Sequence, residues 1–471
     1  MDDTKLLRRV IICCDEASEP LAIAKGDAKH VNETNISRIY RSIHQGQSVQ
    51  SSGTIIEQHA KYYQAVVPAH KLASSRAGDQ QIQDIALDIC KTLHDASDEI
   101  FLFGAGRGAY TVRAVAGILH HMGIPRPGYL SNFSDLYNTT LRLIKARKQD
   151  DGAKGRQALE HLRVHTQGTP NIRFVGLLDA TASPLDRGDM DISMVGSIKH
   201  LRHAMAFNEN RSLNNLDLVP TPSAKEMLAR SCQQAWFLGY HSDMTGGTQH
   251  DGLSVYPLQW LFIEALLQGL LASFDSKDSN SENPISIMFP HYVGSVPDLD
   301  GEEKVHWQIK YSNQTVVNMF DPQIIHSSKA DAAEASHAIH FPKDARLQGS
   351  PRKIFNKEGL IGYDAENKSG VIIHPSVFCI LARNQRFFEQ NRFKPYKANL
   401  ADFEVNCLKN NTDGLPPWLQ DSELLASGVK AFRILVCGKT GVGKSTLINK
   451  VFGVEMVSHA NKIGAELLTI S

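Results

Sequence analysis

The stretch FLFGAGRGAYTVR, Phe101 to Arg113, runs from an apolar strand through a glycine-rich turn into a helix. A strand, then G-x-x-x-G, then a helix is the backbone plan of a nucleophile elbow, where a central serine projects its hydroxyl above a sheet. Here Gly104 and Gly108 frame the turn and Gly106 stands at its centre, so the serine position carries no side chain. The same residues also fit G-x-G-x-x-A, the dinucleotide-binding fingerprint, as Gly104, Gly106 and Ala109. That fingerprint needs an acidic residue at the end of a following strand about twenty positions on, whereas Asp135, in SNFSDLY, reads as part of a loop. At the least, the glycines provide positive φ and a close crossing of strand and helix.

Outward from this turn, apolar β-rich runs alternate with helical ones. RRVIICCDE (8–16) and EIFLFG (99–104) read as buried strands, and QIQDIALDICKTLH (81–94) and YTVRAVAGILHHMG (110–123) as helices. NIRFVGLLD (171–179) and AWFLGYH (235–241) read as further strands, each ending in an ionisable residue, Asp179 and His241. This alternation predicts an α/β fold with a doubly wound parallel sheet, whose functional groups gather beyond the carboxyl ends of the strands. The basic stretch at 140–170 reads as a solvated helical insertion, 276–284 as a loop, 300–400 as weakly β-leaning and 410–423 as a linker. The expected organisation is an α/β domain over 1–400, a linker over 401–430 and a further segment over 431–471.

Composition bounds the chemistry. The 471 residues are 42% apolar and 21% charged, with 50 Lys plus Arg balancing 50 Asp plus Glu. No net field advertises nucleic acid or an anionic membrane as partner. Seven cysteines lie scattered without C-x-x-C spacing, most within apolar runs, which fits reduced core thiols and a cytoplasmic setting. The start MDDTKLLRR has charges where a signal peptide needs an apolar core. Leu253 to Phe274 is long enough to span a bilayer, but Gln259, Glu264 and Gln268 interrupt it, so a core helix and no transmembrane segment are expected.

Several blocks, in order, carry a resemblance. CCDE (13–16), TNISRIYRSI (34–43), GAGRGAYTVR (104–113), LLDATAS (177–183), RHAMAFNENR (202–211), WFLGYHSDMTGG (236–247) and IHPSV (373–377) are similar to the successive marks of one family. That family is the α/β-hydrolase domain of type VI secretion phospholipase effectors and their fungal relatives. The resemblance implies an α/β-hydrolase-like sheet and a lipid or acyl ester as substrate. It places the nucleophile, acid and base at Gly106, Asp179 and His241, so the serine is missing. It also shows Asp15-Glu16-Ala17 where the family has Asp-Gly-Thr, and Met244-Thr245-Gly246-Gly247 where it has Val-Gly-Gly-Gly. The expectation is an impaired hydrolase, because without an Oγ no acyl-enzyme forms by the usual route. Two other readings stay open: an active lipase or esterase using an unorthodox nucleophile or a water activated by His241, and an anion or nucleotide bound at the Gly104–Gly108 turn.

At the far end, RILVCGKTGVGKSTLINKVFG (433–453) contains a complete G-x-x-x-x-G-K-S between a strand and a helix. The backbone amides at Gly438, Gly441 and Gly443 would converge on phosphate oxygens, Lys444 would reach the β- and γ-phosphates, and Ser445 would ligate Mg²⁺. STLINKVFG resembles GTPases of the ribosome-assembly and septin-like group, which implies GTP with Mg²⁺ as ligand. Neither DxxG nor NKxD follows Ser445, so this segment is expected to be an incomplete GTPase, and the whole a regulatory fusion of the fungal multidomain kind.

Overall fold

The computed structural model describes residues 6–16, 34–50, 53–65, 71–94, 97–181, 190–209, 216, 218–220, 230–247, 253–272, 292–297, 303–311, 315–318, 324–325, 352–357, 359–364, 369–374, 376–377, 432–437 and 465–470. The chain divides into two units, Met1–Phe393 and Lys394–Ser471.

In the first unit the elements that position the site are β1 (Leu6–Asp15), α1 (Asn35–Ser42), β2 (Gly46–Val49), β3 (Ile55–Gln64), α2 (Lys71–Thr92), β4 (Glu99–Ala105) and α3 (Arg107–Met122). After them come α4 (Phe133–Lys148), α5 (Gly152–His165), β5 (Asn171–Leu178), β6 (Ile198–Ala206), β7 (Ser231–Phe237), α6 (His241–Thr245), α7 (Val255–Leu267), β8 (Tyr363–Asp364) and β9 (Ser369–Ile373). The nine strands form one sheet in the order β8-β9-β7-β6-β5-β4-β1-β3-β2. Only the edge pairs β8–β9 and β2–β3 are antiparallel.

Buried on both faces, the central strands β1, β4 and β5 carry long apolar runs, and their side chains still separate with a period of two. Val10, Ile12 and Cys14 of β1, with Ile100 and Leu102 of β4, join the core beneath α2, α3 and α4. Ile11 and Cys13, with Phe101, Phe103 and Ala105, face the opposite layer, where Ile36 and Ile39 of α1 and Leu258, Leu261 and Phe262 of α7 pack. Cys13, Cys14, Cys90 and Cys232 are buried free thiols, and burial, helped by the Asp15 charge, pushes that of Cys14 up to about 12. No helix among the described residues is long and apolar enough to cross a membrane, and Glu264 on α7 pairs with Arg202 at 2.7 Å.

Three local expectations are corrected. The stretch at 140–170 is helical as expected but solvated only in part: Leu143 and Ile144, near the end of α4, lie in the core, whereas α5 buries only Ala158 and Leu162. Asp135 belongs to the first turn of α4 and not to a loop. The strand expected over 235–241 spans Ser231–Phe237; Gly239 at φ 117° turns the chain, and His241 opens α6. The loop at 276–284 and the linker at 410–423 lie outside the described residues.

In the second unit, strand Phe432–Cys437 pairs antiparallel with Ala465–Ile470. Gly438, Gly441, Gly443, Lys444 and Ser445 lie outside the described residues.

Candidate active site

The chain leaves β1 for β3 on one side and returns to β4 on the other, which makes the β1/β4 boundary a topological switch point. In an open parallel sheet the crevice for a ligand lies at that point, beyond the carboxyl ends of the strands. Glu16 follows β1 there and Gly106 follows β4, while Asp179 follows β5 and His241 comes four residues after the end of β7.

The three glycines of the elbow do different work. A Cβ on Gly108 would lie 2.1 Å from the Cys14 carbonyl oxygen, and one on Gly104 would lie 2.6 Å from Ala109 Cα. These two let α3 cross β1 and β4 at backbone distance. Gly106 instead takes φ 50° and ψ −113°, the strained corner of a strand-to-helix elbow. Its N–H donates to the Leu178 carbonyl at 2.9 Å, tying the corner to β5.

Asp179 is fully buried and, unusually for a side-chain-bearing residue, adopts φ 42°. Backbone bonding holds that turn: its N–H donates to the Ala204 carbonyl at 2.7 Å, and its Oδ1 accepts from the Ala206 N–H at 2.9 Å. Arg352 grips both carboxylate oxygens, at 2.6 and 3.0 Å, and also donates to the Ala206 carbonyl at 2.9 Å. Burial works against this carboxylate, but Arg352 and then His241 outweigh it and hold Asp179 ionised far below the usual carboxylate range.

His241 sits between two carboxylates. Nδ1 meets Asp179 Oδ2 at 2.7 Å, and Nε2 meets Glu16 Oε2 at 2.7 Å. Both ring nitrogens thus face acceptors, and the ring is an imidazolium donating on each side. Burial would lower its pKa, but the charge of Glu16 and the bonds to both carboxylates prevail and raise it to about 10. The backbone N–H of His241 donates to the buried Glu209 at 3.1 Å, and Asp243 Oδ2 fixes the entry to α6 by accepting from the Tyr240 N–H at 2.7 Å.

Glu16 occupies the place from which a nucleophile would act. A Cβ on Gly106 would lie 2.7 Å from Glu16 Oε1 and 2.8 Å from its Cδ. The neighbouring Asp15 holds the end of β1, accepting from the Glu16 N–H at 2.8 Å, the Tyr62 hydroxyl at 2.7 Å and the Thr34 hydroxyl. Thr34 also caps α1, and Asn35 donates to the Met244 and Ser254 carbonyls, each at 2.8 Å. Thus the TN-x-x-R block links the end of β1 to the segment that carries His241.

The structure brings together Gly106, Asp179 and His241 as the sequence implied. Sequence reasoning missed Arg352, which lies in a weakly patterned region, and registered Glu16 only as a departure from Asp-Gly-Thr. Glu209 lay within a quoted block but had no assigned role. Among the described residues no cluster of His, Cys, Asp and Glu is fit to hold a metal ion.

A largely parallel sheet with an elbow after β4, an acid after β5 and a histidine beyond β7 defines a protein of the α/β-hydrolase-like class. Residues 8–264 match the family described as "T6SS, Phospholipase effector Tle1-like, catalytic domain", and the chain belongs to that family. Among solved structures it is similar to the Tle1 effector bound to the VgrG spike of the type 6 secretion system, at 14% identity and a TM-score of 0.29, over 52% of each chain. It is also similar to an uncharacterized protein from Pseudomonas aeruginosa, at 14% identity and a TM-score of 0.30, over 57% of this chain and 47% of that one. The chain therefore spans about half the length of these structures. No curated protein matches it.

Proposed function

We propose that the Tle1-like domain of this chain is a catalytically impaired hydrolase, cytoplasmic in setting, which retains the fold and a place for a lipid or acyl ester but not serine-based acyl transfer. One observation carries this reading: the Glu16 carboxylate stands where a serine hydroxyl would meet His241 Nε2. Activating a serine needs a neutral Nε2 beside a hydroxyl; this Nε2 donates to a carboxylate, and Gly106 has no hydroxyl. The same pairing weighs against ester hydrolysis by a His241-activated water, since the base would have to accept a proton it already carries. It weighs equally against a bound anion at the Gly104–Gly108 turn, because Glu16 would repel it.

The purified chain should release no fatty acid from phosphatidylcholine vesicles and no phenolate from short aryl esters above the buffer rate, and a fluorophosphonate should not label it. Ester turnover that disappears in His241→Ala would refute the reading.

The domain is joined, in this proposal, to a GTP-binding segment within a regulatory fusion. What supports it is the motif Gly438 to Ser445, which begins directly after strand Phe432–Cys437. Phosphate contacts alone do not read the base, so fluorescent GTP should bind weakly in the presence of Mg²⁺, with ATP competing equally. Lys444→Ala should abolish the signal. Undiminished binding in Lys444→Ala would reject the P-loop as the site.

A further inference from the structure

Acyl-transfer chemistry gives Glu16 no role, yet its carboxylate faces His241 Nε2 at 2.7 Å and leaves 35% of its side chain open to solvent. Carboxylates are competent nucleophiles when the partner carbon suits them. Attack on an ordinary ester would have to expel an alkoxide, a far poorer leaving group than the carboxylate itself, so the adduct would collapse back to the ester. A saturated carbon in a strained ring is different: its C–O bond breaks with release of ring strain, and the product is a stable alkyl ester.

We propose that Glu16 is the nucleophile of an epoxide-opening reaction, with His241 first as proton donor and then as general base. The proposal rests, like the preceding reading, on the pairing of Glu16 with a protonated His241 and on the absence of a nucleophile at Gly106. In the first step a Glu16 oxygen bonds to a ring carbon and the C–O bond breaks. Its electron pair passes to the ring oxygen, which takes the Nε2 proton of His241. Glu16 is now a neutral ester and His241 a neutral imidazole.

Removal of the Glu16 charge takes away the largest influence holding the imidazolium protonated, so Nε2 becomes a base when one is needed. In the second step Nε2 accepts a proton from water, whose oxygen adds to the ester carbonyl. The tetrahedral adduct expels the alkoxide, which takes the proton of the newly formed carboxylic acid. Glu16 ends as carboxylate, His241 as imidazolium, and epoxide plus water has become a diol. Asp179 keeps its pairing with Arg352 throughout and orients the ring through Nδ1. A serine site needs a neutral histidine at the outset, whereas ring opening needs the protonated one that this geometry holds.

The test uses the full chain in molar excess over styrene oxide, in heavy-oxygen water, quenched after one turnover. Expected is an unlabelled diol, with the heavy isotope in the peptide containing Glu16. Label appearing directly in the diol would mean direct attack by water and would overturn the proposal, as would no consumption beyond the buffer rate. Glu16→Gln should reduce consumption to that background, and so should His241→Gln, which removes both the proton donor of the first step and the base of the second. Alkyl ester accumulating on Glu16 in His241→Gln, visible as an adduct mass, would overturn the assignment of His241 as the first proton donor. The isotope result in the unsubstituted chain stands even where a variant fails to fold. Inert styrene oxide with inert esters defeats this proposal alone, whereas ester turnover defeats the preceding reading alone.

Discussion

At Gly106 a serine would need room for a Cβ and an Oγ, and Glu16 already fills it, with Oε1 only 2.7 Å from where the Cβ would lie. Gly106→Ser therefore forces Glu16 away from His241 and places a side chain at φ 50°, strain on the order of 1–3 kcal/mol. The single variant should show no esterase activity and a lower melting temperature than the parent. Adding Glu16→Gly removes both the obstacle and the carboxylate on Nε2, so the double variant should react with a fluorophosphonate. Robust esterase activity in Gly106→Ser alone would show that Glu16 yields its place easily. Asp179 and His241 were legible in the sequence because each closes an apolar run, Asp179 directly after its strand and His241 just past one. Glu16 and Arg352 were not, since their partners lie 225 and 173 residues away and no local pattern encodes those meetings.

Elements were read with similar unevenness, for reasons that can be traced. The strands β1, β4 and β5 announce themselves because a parallel strand covered on both faces carries a near-continuous apolar run, as at 10–14, 100–103 and 174–178. Helix α4 was hidden by composition: its lysines and arginines dominate the stretch, while Leu136, Tyr137, Leu143 and Ile144 form a buried stripe at helical spacing. The end of β7 was overrun because Phe237, Leu238 and Tyr240 continue the apolar run past it, and only Gly239 breaks it. In the elbow the motif located the turn but could not say which glycine does what. Gly108 is fixed by the carbonyl of Cys14 on the neighbouring strand, a constraint set by the sheet rather than by the turn itself.

Over the whole molecule, the site's charges couple stability to pH. The folded pKa of His241 lies above its ordinary value, so its contribution is complete below about 6.5 and is lost as pH rises through about 10. Asp179 is depressed, so its contribution is present above the ordinary carboxylate value and is lost as pH falls well below it. Three groups govern the histidine: Glu16 on Nε2, Asp179 on Nδ1, and Arg352 behind Asp179. Thermal melts of the parent should be steady in mildly acidic solution and then decline progressively as pH rises from about 6.5 to about 10. Glu16→Gln should show a shallower decline that ends at lower pH, because one of the two carboxylates that hold the proton in the folded state is gone. Identical alkaline limbs for the two proteins would show that Glu16 does not sustain the imidazolium.

The lodging of Glu16 against Gly106 also bears on descent. A route to a serine hydrolase from this sequence requires changes on two separate strand ends, at positions 16 and 106. Serine at 106 alone meets the carboxylate, and glycine at 16 alone leaves no nucleophile. Neither step offers selection anything to favour, so the path is closed to a lineage that moves one codon at a time. Innovation at this crevice is channelled toward whatever chemistry the acidic side chain can support.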